Sequence, residues 1–295
     1  MARFMNYAKP GKGISKEDIE NKTGISLYFD IFLRRFWSFI TVNFLYLLAS
    51  IPAIIISFFI ATYLMTAVLG FEGKEMTDEL YAAMVLLSVP FTVAIFQATG
   101  SGPASIAINS ITGKYIKDTH SWTWSDFIGN IKSNFLQGLL IYVINTLVFF
   151  ACAFAFLFYN YVMGGVMAGV LRAMIIVISV IFFIMQFYVY RIAAEFKLKT
   201  KHIYKNAFIL TLTGLKWNLF ATVVIVTLMC VLFTLLSEMF AIGAAVLLAI
   251  YFVLFTFTQN FITNNVVKKY LLEPSLKAQE EEEAKKQNED EEDDD

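Results

Sequence analysis

The sequence predicts an all-α fold: a polytopic membrane helix bundle of about six transmembrane helices, with amphipathic surface helices on the cytoplasmic side. Three observations carry that expectation. The chain is 58% hydrophobic and only 16% charged, whereas a soluble domain is about half apolar and about a quarter charged. The apolar excess lies in continuous runs longer than the roughly 20 residues a helix needs to cross a bilayer. Lys and Arg fall in alternate connections and leave the others nearly bare. In hydrocarbon the backbone must satisfy its own polar groups, which favours helices. The runs are continuous rather than alternating, which argues against a β-barrel.

Residues 1–24 form a polar N-terminal segment, with Lys9-Pro10-Gly11-Lys12-Gly13 as a flexible lead. The first 35 residues hold no apolar stretch, so the first span is expected to act as its own uncleaved targeting signal. In residues 25–35, Ile25, Leu27, Tyr28, Ile31 and Phe32 share one face, and Asp30, Arg34 and Arg35 share the other. That is the pattern of a helix lying in a membrane surface.

Residues 36–69 make one apolar run with Pro52 in its middle. At about 1.5 Å per residue the run would reach roughly 50 Å, against a hydrocarbon core of about 30 Å. A single helix kinked at Pro52 is the preferred expectation, and a re-entrant pair of half-helices the alternative. An acidic connection follows, with Glu72, Glu75, Asp78 and Glu79 against Lys74. Residues 80–99 are the second predicted span, with Pro90 in Ser88-Val89-Pro90, as Pro52 stands in Ser50-Ile51-Pro52. Serine hydroxyls can replace part of the backbone bonding that proline frees.

Residues 100–137 are the longest polar interruption and the stretch around which the chain is expected to be organised. Pro103 suits the first turn of a helix. Ala104, Ala107, Ile108, Ile111 and Tyr115 make an apolar stripe, with Lys114, Lys117 and Asp118 off it. Thr123 followed by Asp126 resembles a capping box opening a second short helix. Phe127, Ile131 and Phe135 carry one face of that helix toward a third span at 135–159. A glycine-containing turn at 160–169, a fourth span at 170–190, a fifth from Lys216-Trp217-Asn218 to Ser237, and a sixth at 241–261 complete the bundle. The membrane domain is placed at 25–272, and the acidic tail at 273–295 is expected to be disordered.

By the distribution of Lys and Arg, both termini are cytoplasmic and the span count is even. Trp37, Trp122, Trp124 and Trp217 fall at the inner boundary, and Tyr63, Tyr81, Tyr159 and Tyr161 suit the outer one. Spans one, three and five each follow a basic and aromatic lead: Arg35-Phe36-Trp37, Lys132-Ser133-Asn134-Phe135 and Lys216-Trp217-Asn218. Either the chain repeats a unit of surface helix plus hairpin, or any inner boundary attracts such residues.

These residues resemble the YesL-like family of bacterial integral membrane proteins, a domain of unknown function numbered 624. The resemblance covers roughly residues 25–275. It is carried by Gly102-Pro103-Ala104 after an apolar span and by Trp124-Ser125-Asp126-Phe127 with Lys132, Asn134, Phe135 and Gln137. Tyr188-Val189-Tyr190 before a basic loop and Lys205-Asn206-Ala207 add to it. It implies a multi-pass protein of the bacterial cell membrane, often encoded beside carbohydrate-uptake systems in Gram-positive bacteria, with no established reaction. Shorter members look more compact between the positions of Pro52 and Gly102.

No catalytic constellation, metal-spaced cluster or phosphate-cradling loop is visible, so no enzyme activity, metal or cofactor is expected. Cys152 and Cys230 lie in apolar runs and read as small core residues. His120 and His202 are expected at the cytoplasmic boundary, and Asp126 reads as a cap before it reads as an acid or base. Asn43, Asn145 and Gln186 are the notable polar residues inside spans, where hydrogen bonds between helices account for them. The leading expectation is a non-enzymatic accessory or scaffold of a carbohydrate uptake or sensing system. Its partners would be the bilayer and components of that system, not nucleic acid. Its docking face would draw on Gly102, Pro103, Ala104, Trp124, Asp126, Phe127, Lys132, Asn134, Lys205 and Asn206. The alternative is a small-solute permease, with Asn43, Gln97, Asn145 and Gln186 lining a path.

Overall fold

Pro52 lacks the N–H that a continuous helix would use, and its ring crowds the carbonyl four residues back. The helix accordingly breaks at Ser50, two residues before the proline, and restarts with Pro52 in its first turn. The single kinked helix expected over residues 36–69 is therefore two helices in this computed structural model, which describes residues 24–69, 77–119, 121–237 and 248–274.

In chain order the described helices are α1 (Gly24–Arg34), α2 (Phe36–Ala49), α3 (Ile51–Leu69), α4 (Asp78–Thr99), α5 (Pro103–Ile116) and α6 (Thr123–Ser133). There follow α7 (Phe135–Tyr161), α8 (Gly165–Glu195), α9 (Thr200–Thr213), α10 (Leu215–Ser237) and α11 (Tyr251–Val267), the last running into a π-helical turn, Lys268–Leu272. No strand occurs among the described residues.

Length and composition let α7 and α8 cross a membrane on their own. Three bent pairs raise that number to as many as five if each pair counts as one span: α1 with α2, Leu87–Thr99 with α5, and α9 with α10. The six spans expected are not reached among the described residues. The sixth was placed at 241–261, but residues 238–247 lie outside the described ones and α11 starts at Tyr251. α8 is longer than expected at both ends, so the turn expected over 160–169 shrinks to the few residues between Tyr161 and Gly165. The acidic tail beyond residue 274, the polar segment before Gly24, and His120 lie outside the described residues.

The three basic and aromatic leads correspond to three helix elbows of one kind. The break residues are Arg35 (φ −111°, ψ 17°), Asn134 (φ −117°, ψ 19°) and Gly214 (φ −91°, ψ 18°). Each sits near the bridge region of backbone space. Each donates its N–H to the carbonyl four residues back and accepts from the N–H four residues on, so the ladder survives the bend. The bends measure 74° between α1 and α2 and 93° between α9 and α10. The repeated unit of short helix, elbow and apolar helix is thus present three times.

The centre of the molecule is α5, which packs against α2, α6, α7, α8 and α11. This corrects the expectation of a surface helix at 103–116. The apolar stripe exists, but the opposite face is buried as well: Ser105, Ile106, Asn109, Thr112 and Gly113 are covered. Apart from Ile106, those residues are small or carry amides and hydroxyls that find partners, which is how helices approach closely in apolar surroundings. The helix is turned inward by a 73° bend after α4. Gly100 (φ 73°) and Gly102 (φ 64°) supply that bend with left-handed backbone that other residues adopt at a cost.

Candidate functional site

Amide and hydroxyl side chains recur on the inward faces of α5, α8 and α11, and the hub position of α5 brings them together. Asn260 Nδ2 on α11 donates to Asn109 Oδ1 (3.0 Å) and Thr112 Oγ1 (2.9 Å) on α5. Asn109 Nδ2 in turn donates to the Ser105 carbonyl at 2.8 Å. The Ser105 hydroxyl meets Tyr46 OH at 3.2 Å and accepts from the Ser101 N–H at 2.8 Å.

Arg191 on α8 is fully buried. Its Nη1 donates to the Asn260 carbonyl at 2.8 Å, its Nη2 to Asn264 Oδ1 at 2.6 Å, and its Nε to Glu195 Oε1 at 3.1 Å. Glu195 Oε2 accepts from Lys117 Nζ at 2.8 Å. A buried ion is tolerated when it is paired and well hydrogen-bonded; Arg191 is paired with Glu195, and each of its three nitrogens has a partner. A continuous polar column therefore runs from Tyr46 and Ser105, through Asn109, Asn260, Arg191 and Glu195, to the partly exposed Lys117.

A second cluster stands beside the column. Asn145 Nδ2 donates to Gln186 Oε1 (2.8 Å) and the Thr99 carbonyl (3.1 Å), and Tyr190 OH donates to the same carbonyl at 2.6 Å. Tyr204 OH on α9 donates to Asn145 Oδ1 at 2.7 Å. Between cluster and column lies a small cavity of about 30 Å³, lined by Gln97, Gln186, Tyr190, Asn109, Thr256 and Gln259 among others. That is room for one water, in polar walls that would hold it. Gln97 Nε2 is buried without a protein partner.

Asn43 belongs to neither group. Its Oδ1 accepts from the N–H groups of Phe252 (3.0 Å) and Val253 (3.1 Å), and its Nδ2 donates to the Leu248 carbonyl at 2.8 Å. It caps α11, whose own N-cap residue, Ile250, makes no side-chain capping bond.

The positions picked out from the sequence divide in two. Gly102 and Ala104 are buried and Pro103 half-buried; a Cβ on Gly138 of α7 would sit 2.6 Å from the Pro103 nitrogen, so this triplet is a packing joint rather than a docking surface. Phe127 is buried under α6, and Asn134 is the elbow residue, its Nδ2 donating to the Asn130 carbonyl at 3.1 Å. Asp126 accepts from Lys114 Nζ (2.8 Å), the Ser121 hydroxyl (3.1 Å) and the Trp122 N–H (3.1 Å). Partial burial works against its charge, but these donors outweigh it and hold the carboxyl below the usual range. The cap therefore forms one residue earlier than expected: Trp122, not Thr123, is the N-cap residue. Trp124, Lys132 and Lys205 are exposed and Asn206 half-buried.

Among the described residues no group of three or more His, Cys, Asp or Glu could hold a metal ion. His202 is exposed. Cys152 is half-buried and Cys230 exposed, so neither is the core residue expected. Sequence reasoning missed the Arg191, Glu195 and Asn260 group. Its traces were the i, i+4 spacing of Arg191 and Glu195 and the polar run Thr256 to Asn265 inside an apolar stretch.

Residues 80–161 match the family described as Protein of unknown function, DUF624. No curated protein and no solved structure matches the chain. The DUF624 stretch runs from α4 to the end of α7. It holds the Gly100 and Gly102 bend, all of hub helix α5, the Lys114 and Asp126 pair, the Asn134 elbow, Gly138 and Asn145. Arg191, Glu195 and Asn260, which complete the polar column, come from outside it.

Proposed function

We propose that this is a multi-pass protein of the bacterial cell membrane that serves as a non-enzymatic docking partner of a carbohydrate uptake or sensing system. The membrane assignment rests on α7 and α8, each long and apolar enough to cross a bilayer. Two contacts support a shared basic face: Gln137 Nε2 at the start of α7 donates to the Leu198 carbonyl at 2.6 Å, and Lys117 after α5 reaches Glu195 at the end of α8. Gly24 and Asn264 line one groove, which fits termini on a single side, the cytoplasmic one by the distribution of Lys and Arg. In this orientation α1, α6 and α9 are the cytoplasmic surface helices.

The observation that carries the docking role is that Trp122, Trp124, Lys132, Lys201 and Lys205 stay exposed on these helices, while Asn43, Asn109, Asn145 and Asn260 hold helices together. Trp is enriched among the residues that anchor binding surfaces, and a lysine-rich face steers an acidic partner toward them. The sugar-related partner follows only from the YesL-like resemblance. The test is purification in mild detergents, with co-purifying proteins identified. A sugar-uptake or sensing component should accompany the wild type and be lost from a Trp124→Ala, Lys132→Glu, Lys205→Glu variant of equal yield. A lone species in every detergent would overturn the proposal.

A small-solute permease is the second reading. In its favour, Gln97 and Gln186 meet at one small, partly polar cavity. Asn145 stands behind Gln186, and Asn43 is engaged elsewhere. A cavity the size of one water admits a sugar only if the helices part. Solute flux into reconstituted vesicles, abolished by Gln97→Leu and Gln186→Leu, would establish this reading.

A further inference from the structure

We propose that the groove between α1, α10 and α11 binds one acyl chain of an anionic phospholipid, with the headgroup at Trp217 and Lys216. This rests on the membrane assignment above. The groove measures about 670 Å³. Its walls are apolar: Leu27 and Phe29 of α1, Phe220 and Val224 of α10, Phe261 and Ile262 of α11. Phe29 and Phe220 remain exposed at the lip, so the described side chains leave the groove unfilled.

The groove has a direction. Gly214, just before α10, lies against Val266 near the end of α11: a Cβ there would come within 2.8 Å of Val266 Cγ1. The two helices are therefore antiparallel, with Trp217, Asn264 and Asn265 at one end of the groove and Val224 and Thr258 at the other. The polar end carries positive charge. Lys216 Nζ stands 5.9 Å from the Trp217 ring centroid, and Lys268 and Lys269 are exposed directly after α11. None of the lining residues is acidic. A largely apolar groove with an indole and two amides in its lining, and lysines close by in the chain, complements an amphiphile with an anionic head. A trough for a neutral solute would need none of that charge.

The roof is fixed. Tyr28 OH meets Thr258 Oγ1 at 2.7 Å, and its ring packs on Phe257 and Phe261 at centroid distances of 5.0 and 5.3 Å. α1 is thereby strapped across the groove at its 74° elbow to α2. A free bilayer lipid would exchange past an open surface; a chain under α1 would be held.

Fluorescence quenching tests the proposal. A variant with Trp37, Trp122 and Trp124 changed to Phe keeps Trp217 as its sole indole. It is reconstituted in phosphatidylcholine vesicles doped with phosphatidylglycerol carrying brominated acyl chains. Quenching should saturate at low mole fraction and exceed that by brominated phosphatidylcholine several-fold. It should fall when Val224→Phe fills the groove or Lys216→Gln removes the charge. Quenching that rises linearly with mole fraction, alike for both headgroups, would overturn the site. So would quenching that appears only after residues 2–23 are deleted, since the N-terminal segment would then be the occupant. A companion variant keeping only Trp37, which is highly exposed on α2, separates the premises: if neither brominated lipid quenches Trp37, the membrane assignment itself fails.

Discussion

Arg191 Nη1 lies 2.8 Å from the main-chain carbonyl of Asn260. A fully buried guanidinium thus ties α8 to α11, and through Glu195 and Lys117 to the end of α5. Charges inside membrane proteins usually mark function; the partners of this one fix three helices of the core together.

Arg191→Met should therefore cost about 3–5 kcal/mol, because it leaves the mostly buried Glu195 with Lys117 alone and strands Asn264. Adding Glu195→Gln should recover part of the loss. Arg191→Lys should fall between, since one ammonium cannot span both Asn260 and Asn264. Thermal unfolding in detergent gives the order.

Gly138→Ala should destabilise by about 1–3 kcal/mol, since the new methyl would sit 2.6 Å from the Pro103 nitrogen and 2.7 Å from its Cα. Gly129→Ala is the control. It lies within α6 with nothing inside 4 Å of the added atom, and should be neutral or stabilising by about 0.5–1 kcal/mol. The same unfolding assay reads both.

Asn43→Leu should strip the cap from α11 and leave the Phe252 and Val253 amides unpaired. The cost should be about 1–3 kcal/mol. Hydrogen exchange should quicken at Phe252, Val253 and the next turn of α11, while α7 keeps its protection.

Asp126 gives a pH dependence. Its folded pKa is depressed below the unfolded value of about 3.9. Its contribution is therefore complete above the unfolded pKa and lost as pH falls through the folded one. Trp122 and Trp124 emission should change below about pH 4 in the wild type. In Asp126→Asn that step should be missing, with the elbow loosened at neutral pH.

Topology is tested by Lys201→Cys in a chain with Cys152→Ser and Cys230→Ser. A membrane-impermeant maleimide should label it only after cells are permeabilised. Labelling of intact cells would reverse the orientation and put the exposed Trp and Lys face outside.

Much of the local structure was legible in the residues themselves. α1, α4, α7 and α10 lie within a few residues of the predicted segments, because run length, Pro103, the glycines and the basic leads act over one or two helical turns. The elbows fall at or next to those leads for the same reason. The capping role of Asp126, a contact within one helical turn, was legible in the same way, but its pairing with Lys114 was not. The rest of the candidate site was not legible: Arg191 read as a charge closing a span, and Asn43 and Gln186 looked alike.

By itself, then, the sequence determined an all-helical chain rich in apolar runs, and where its helices bend. The tertiary structure alone decided that α5 is the hub, that Arg191 is buried, and that Asn43 caps a helix 209 residues away. Hydropathy records how a residue prefers its solvent. It carries no information on whether a distant amide or carboxylate will arrive to replace that solvent, and the polar groups here owe their positions to such partners.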